Sequence, residues 1–255
     1  MKPHQTVMLL AGLLGMASCK KESYSTQYAK DAALESETLS NQQSCPQIDP
    51  SDFVKGIHNP YLSFVPGKRF YYVNKIVEDK ELIIEHNPVV VTSDIKMILG
   101  VACTVVHDVV KVDGKITEDT YDWYAQDKHG NVWYFGEDTK SYENGHVSTE
   151  GSWEAGVNGA KPGIAMFGNP KKHIGETYYQ EYLKGVAEDQ AKLLNTNSTV
   201  KVAYGSFNNC VETKEFTRLE PDVVEHKYYA RGVGEVLAVT TKGGHEREEL
   251  VSITH

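Results

Sequence analysis

From about Phe53 to the end of the chain, apolar and β-branched residues recur in short runs with a period of two, separated by turn residues. Period-two patterning of this kind predicts half-buried strands. Strands are expected at 69–76, 81–86, 88–95, 101–112, 116–126 and 131–137, and then at 146–155, 176–183, 199–207, 209–217, 223–230, 235–241 and 247–254. Asp113-Gly114, Lys128-His129-Gly130, Asn144-Gly145 and Gly243-Gly244 sit between several of them, so the links are tight and the pairs antiparallel. One window, VAEDQAKLL (186–194), instead carries apolar residues at helical spacing and predicts one short helix. The fold class expected is mainly β: a single antiparallel sheet, curved like a half-barrel, with that one helix. Residues 53–255 suit one domain.

The N-terminal pattern differs. Val7–Ser18 is a continuous apolar run behind Lys2 and His4, shorter than the ~20 residues a membrane helix needs. Its length fits the core of a signal peptide, here residues 1–18. The run ends Met16-Ala17-Ser18-Cys19, which resembles the bacterial lipobox, with Met in place of the usual Leu. That resemblance implies lipidation of Cys19, and Lys20 after it implies an outer-membrane address. An ordinary signal peptide is the alternative. Residues 19–52 are polar, Ser- and Gln-rich and poor in large aliphatics, so they read as a flexible tether.

Charge narrows the partners. The chain carries a formal net charge of −9, and loss of residues 1–18 would remove one lysine and no acid. Such a surface is a poor partner for nucleic acid, whose binding relies on Lys and Arg. Besides Cys19 there are Cys45, Cys103 and Cys210, with no CxxC. The pairing among these three is open. Cys103 and Cys210 lie in strand-like runs and read as inert buried thiols.

The densest chemistry is TYDWYAQDKHGNVWYFGEDT (120–139). Alternation puts Glu118, Thr120, Asp122, Tyr124 and Gln126 on one face of its first strand. A four-residue loop, Asp127–Gly130, would set Gln126 opposite Asn131, Tyr124 opposite Trp133, and Trp123 opposite Tyr134. Three readings follow. The hairpin can be plain architecture, since aromatic cross-strand pairs stabilise sheets by up to ~1 kcal/mol each. Glu118, Asp122 and Glu137 can form an oxygen site for Ca²⁺, or for a glycan beside Tyr124, Trp133 and Trp153. The same acids, with Glu154, can act as paired carboxylates in glycoside hydrolysis. A glycine-rich stretch, 151–176, is expected to form a long covering or binding loop, bringing Glu154, Lys161 and His173 together and plugging the fold with Met166 and Phe167. No GxSxG, HExxH, Walker loop or GxGxxG occurs. His107-Asp108 and Glu225-His226 are adjacent pairs, which in strands point to opposite faces.

NPYLSFVPGKRFYY (59–72) resembles the opening element of many secreted bacterial β-domains, and EHKYYARGVGEVLAV (225–239) resembles their closing element. Between them, DWYAQDKHGNVWYFGED, GSWEAGVNGAKPGIAM and YYQEYLKGVAEDQA are similar to a family of uncharacterised bacterial exported proteins and lipoproteins. The resemblance implies one antiparallel β-domain wrapped around the short helix. It carries no activity to any residue. The expectation is therefore an outer-membrane lipoprotein, facing the periplasm or the cell surface, that works as a non-catalytic binding or envelope-assembly module. Its partners would be the membrane, through Cys19, and a glycan or envelope protein. The alternative is a hydrolase on a polysaccharide or other envelope substrate.

Overall fold

The computed structural model describes residues 48–255. The signal segment 1–18, Cys19, Cys45 and nearly all of the 19–52 tether lie outside the described residues. Of the tether, Pro50–Asp52 forms a 3-10 turn, and the Asp52 carbonyl accepts a hydrogen bond from the Lys128 amide at 2.8 Å.

Sixteen strands follow. They are β1 (Phe53–Val54), β2 (Arg69–Glu78), β3 (Glu81–Ile98), β4 (Val101–Val112), β5 (Lys115–Asp127), β6 (Val132–Glu143), β7 (His146–Ser148) and β8 (Trp153–Glu154). Then come β9 (Lys161–Met166), β10 (Thr177–Tyr179), β11 (Glu181–Tyr182), β12 (Asp189–Val202), β13 (Gly205–Thr217), β14 (Val224–Ala230), β15 (Gly234–Lys242) and β16 (Glu246–Thr254). The order across the sheet is β10-β12-β13-β14-β15-β16-β2-β3-β4-β5-β6-β9-β11. Every pairing is antiparallel. The two ends of this order, β10 and β11, are separated along the chain only by Gln180. The sheet thus curls until its edges meet at one residue, giving a nearly closed barrel. Gly163 on β9 makes the seam: a Cβ there would stand 2.4 Å from the Tyr179 carbonyl oxygen. Closure removes the exposed edges on which other chains could pair.

The expected helix does not form. Residues 189–202 are strand, paired with β13 along their length and with β10 near their start. Ladder hydrogen bonds on both sides outweigh a weak local helical preference. Among the described residues the helical elements are two short 3-10 turns, Pro50–Asp52 and Pro170–His173. Two expected strands, 81–86 and 88–95, are one long β3 that runs through Pro88. The expected strand 199–207 is a hairpin corner, with Ala203 and Tyr204 turning between β12 and β13.

NPYLSFVPGK is not a strand but a strap across one end of the barrel. Buried Asn59 pins it. Its side-chain amide donates to the carbonyls of Gly130 (2.8 Å) and Phe167 (3.1 Å), while its Oδ1 accepts from the amides of Tyr61 and Leu62. Gly232 donates to the Pro60 carbonyl at 2.7 Å. Under the strap the interior is apolar: Val132, Met166, Phe167, Leu193, Val211, Val236 and Leu250 share one buried cluster. Met166 and Phe167 plug the core as expected. Further along the same strands the interior fills with charge.

Candidate functional site

The charged part of the interior surrounds a cavity of about 130 Å³. Its apolar wall comes from Leu62 and Phe64 of the strap, Phe70, Val89, Val106 and Ala165. Its polar wall holds six carboxylates, Asp108, Glu118, Asp122, Glu137, Glu235 and Glu248, with one ammonium, Lys227. Thr120, Tyr72, Tyr124, Tyr229 and Gln180 complete it.

The β5 face read from the sequence points inward, as Glu118, Thr120, Asp122 and Tyr124 all line the cavity. Its pairing with β6 differs from the expected one. Asp122 stands opposite Glu137, and Tyr124 opposite Tyr134, with the register shifting between them. Phe135 and Gly136 together face Trp123. Gly136 has φ of 131° and passes so close to β8 that a Cβ would lie 2.2 Å from the Trp153 carbonyl oxygen. This glycine bulge takes up one extra residue and moves Glu137 beside Asp122. The turn is shifted too, because Gln126 pairs with Val132. Asp127 caps it, accepting from the amides of His129 and Asn131, from the Asn131 side chain and from the Trp133 indole.

The candidate aromatic residues separate. Tyr124 is in the cavity wall, 4.8 Å from the Tyr134 ring and 4.9 Å from Phe64. Trp133 packs on Phe53 at 6.2 Å and is held by Asp127. Trp153 is buried edge-on against Tyr134 at 5.4 Å. Neither tryptophan lines the cavity. Glu154 is also elsewhere, paired with Lys96 at 2.8 Å, and Lys96 in turn covers the Trp123 ring at 3.4 Å. Lys161 lies over Tyr182, while His173 stacks on Phe167, so the 151–176 stretch does not gather Glu154, Lys161 and His173 into one group.

Burial dominates the electrostatics. It pushes Glu118 up to about 7, with Asp122 adding to the shift. Asp122 is raised to about 6 by burial, although the Tyr134 hydroxyl donates to its Oδ1 at 2.6 Å and opposes the shift. Glu248 reaches about 8 through burial and Glu235. Asp108 and Glu137 stand well above the usual carboxylate range, first from burial and then from neighbouring acids, Asp122 beside Asp108 and Glu181 beside Glu137. Burial alone would lower the Lys227 ammonium, but Glu215, Glu235, Glu225 and Glu248 outweigh it and hold it above its ordinary value. Lys227 lies 3.4 Å from Glu215 and 3.6 Å from Glu225. Those two acids line a second, smaller cavity of about 30 Å³ with Asp189.

Two buried acceptors in the main cavity wall have no partner: Asp108 Oδ1, on a residue 7% exposed, and Gln180 Oε1, on a residue 5% exposed. Among the described residues, no group of three or more His, Cys, Asp or Glu side chains is placed to hold a metal ion. Chemically, the site offers clustered carboxylates of raised proton affinity, one ammonium and aromatic faces.

Lys227, Asp108, Glu235, Glu248 and Gln180 were not legible as site residues. Alternation in VVEHKYYA does put Glu225, Lys227 and Tyr229 on one face, but acids lie on both faces of many strands, so the pattern does not say which face is inside. The adjacent pairs do split as expected. Asp108 faces in, while His107 bonds Asp119 at 2.8 Å and stacks on Tyr121 at 4.2 Å. Glu225 faces Lys227, while His226 bonds Glu212 at 3.0 Å. Cys103 and Cys210 are free, buried thiols, and burial pushes Cys103 up to about 12.

No protein-family model matches the chain, and no curated protein does. Two solved structures are similar in fold. One is a Bacteroides fragilis NCTC 9343 protein designated as exported, with a YmcC-like fold. It is 13% identical, with a TM-score of 0.43, over 78% of this chain and 100% of that one. The other is a Parabacteroides distasonis ATCC 8503 protein designated a lipoprotein. It is 8% identical, with a TM-score of 0.43, over 77% of this chain and 99% of that one.

Proposed function

We propose that the protein is a lipid-anchored envelope module of the outer membrane that binds a small ligand inside its barrel without transforming it. The supporting observation is the interior cavity, whose wall combines an apolar half, an acidic half and two buried acceptors lacking partners. Packed cores keep few such groups, because an unpaired buried acceptor costs about 1–3 kcal/mol. The test is a thermal-shift screen of the whole chain against amines, glycans, envelope lipids and Ca²⁺, repeated with Ala165→Phe, which fills the cavity. Ligand at 100 times Kd raises stability by about 2.7 kcal/mol. The reading requires a shift in the wild type that the filled variant loses. Silence across all four classes, or a shift that survives Ala165→Phe, overturns it.

One observation favours a second reading. Glu118 and Asp122, pushed up to about 7 and about 6, are poised for proton transfer near neutral pH. A hydrolase using Glu118, Asp122 and Glu137 would cleave an envelope glycan, and Asp122→Asn would abolish turnover. A binder shows no turnover in either form.

The anchoring rests on the Cys19 lipobox resemblance. Cys19→Ser is expected to move the protein from the membrane fraction to the soluble fraction of the envelope, since acyl chains supply the attachment. Persistence of the variant in membranes would refute the anchor.

A further inference from the structure

The chemistry of the cavity can be carried one step further, resting on the reading of the barrel interior as a binding site. We propose that its ligand is an organic ammonium ion, an amine carried on a compact apolar or aromatic body. Three independent features converge on this class.

The first is charge balance. Six carboxylates line the cavity and one ammonium faces them, and Lys227 is already shared with Glu215 and Glu225. A cation bound among Asp108, Asp122 and Glu137 relieves their mutual repulsion. A neutral or anionic guest does not.

The second is the sign of the missing hydrogen bonds. The unpaired groups are Asp108 Oδ1 and Gln180 Oε1; the amide oxygen only accepts, and so does Asp108 once a bound cation holds it ionised, so the guest must supply donors. An ammonium group carries only donors.

The third is the apolar and aromatic wall beside the acids, where Val89 pairs with Asp108 and Val106 with Asp122. Phe64 and Tyr124 sit 4.9 Å apart, Phe70 and Tyr72 6.2 Å, and Val89 and Val106 lie among them. Aromatic faces attract cations, most strongly where water is excluded, and they also bury apolar carbon. Bare Ca²⁺ uses none of this wall. The volume accommodates about ten non-hydrogen atoms, at roughly one water-sized site per 10–15 Å³.

The test uses 2-phenylethylammonium as probe and its neutral analogue 2-phenylethanol as control. Binding to the whole chain is measured by calorimetry, for the wild type, Asp108→Asn and the cavity-filling Ala165→Phe. Asp108→Asn keeps the shape of the wall, and a melting curve confirms that it is folded. The expected result is saturable binding of the amine at least tenfold tighter than the alcohol, weakened at least tenfold in Asp108→Asn and lost in Ala165→Phe. If alcohol and amine bind alike and Ala165→Phe stops both, the cavity is a site and the ammonium class is wrong. If Ala165→Phe leaves amine binding intact, the cavity is not where it binds and both readings fall. If neither probe binds, the ammonium class falls, and the interior site falls with it only when the wider screen is silent.

Discussion

Asp122 shows what single residues do here. Its carboxylate is half-buried in the cavity wall beside Glu137 and accepts one hydrogen bond from Tyr134. Above its raised value near 6 it must carry a charge that burial disfavours. Asn has nearly the same shape, and its Oδ1 can still accept from Tyr134. At pH 8, Asp122→Asn is therefore expected to hold stability or to raise it by up to about 2 kcal/mol, since each tenfold change in proton affinity is worth about 1.4 kcal/mol. Urea denaturation of the two proteins measures this. A loss of 1 kcal/mol or more would mean the charge is a structural support and not a cost retained for a ligand. Gly136 works in the opposite direction. Gly136→Ala puts a methyl group against the Trp153 carbonyl at a backbone angle that L-residues rarely adopt, and should cost at least about 1–3 kcal/mol in the same assay.

At the level of elements, the strap 59–68 organises one end of the barrel through Asn59. Two of its four hydrogen bonds tie the strap to the Gly130 turn and to Phe167, and the other two hold the strap's own Tyr61 and Leu62 amides. Asn59→Ala leaves the Gly130 and Phe167 carbonyls without that donor and the Tyr61 and Leu62 amides without that acceptor. A destabilisation of about 2–4 kcal/mol is expected, at roughly 1 kcal/mol per bond, with hydrogen exchange rising first at 59–68. Uniform exchange across the barrel would refute a local role. The strap also marks where sequence reading stops. Most strands were legible, since period-two alternation follows directly from the pleat, and β4 matches its expected bounds of 101–112. The strap was not, because its contacts are to residues 71 and 108 positions away. The β5–β6 register was missed by one residue at the turn and by two beyond the bulge, and the bulge goes with the close approach of β8 to Gly136, a tertiary fact. The helix at 186–194 was wrong for the same kind of reason, as the partners of β12 lie elsewhere in the chain. For the site, alternation grouped Glu118, Asp122 and Tyr124 correctly. The sheet's closure brought in Lys227 and Glu248 from strands that no local pattern links to them.

The whole barrel behaves as a store of protons. Asp122 near 6, Glu118 and Asp189 near 7, and Glu248 near 8 all sit above the range of an unfolded chain, with burial as the leading cause. Between the unfolded and folded values, the native state holds protons that the unfolded chain has released. Stability then falls as pH rises through that window. The protein is expected to lose melting temperature steadily from pH 5 up to about pH 8. Two groups act against this only outside the window. Glu212 and Glu249 are held below their usual value by hydrogen bonds that outweigh burial, so their contribution is lost only under acid conditions. Lys227 is raised, so its contribution is lost only above its ordinary pKa. Melting temperature measured at constant ionic strength from pH 5 to pH 8.5 tests the sign. A flat or rising profile would mean that the interior acids are ionised and paired in the native state, and the cavity would then offer no unmet charge. An ammonium guest should flatten the slope, since it stabilises the ionised carboxylates that burial disfavours.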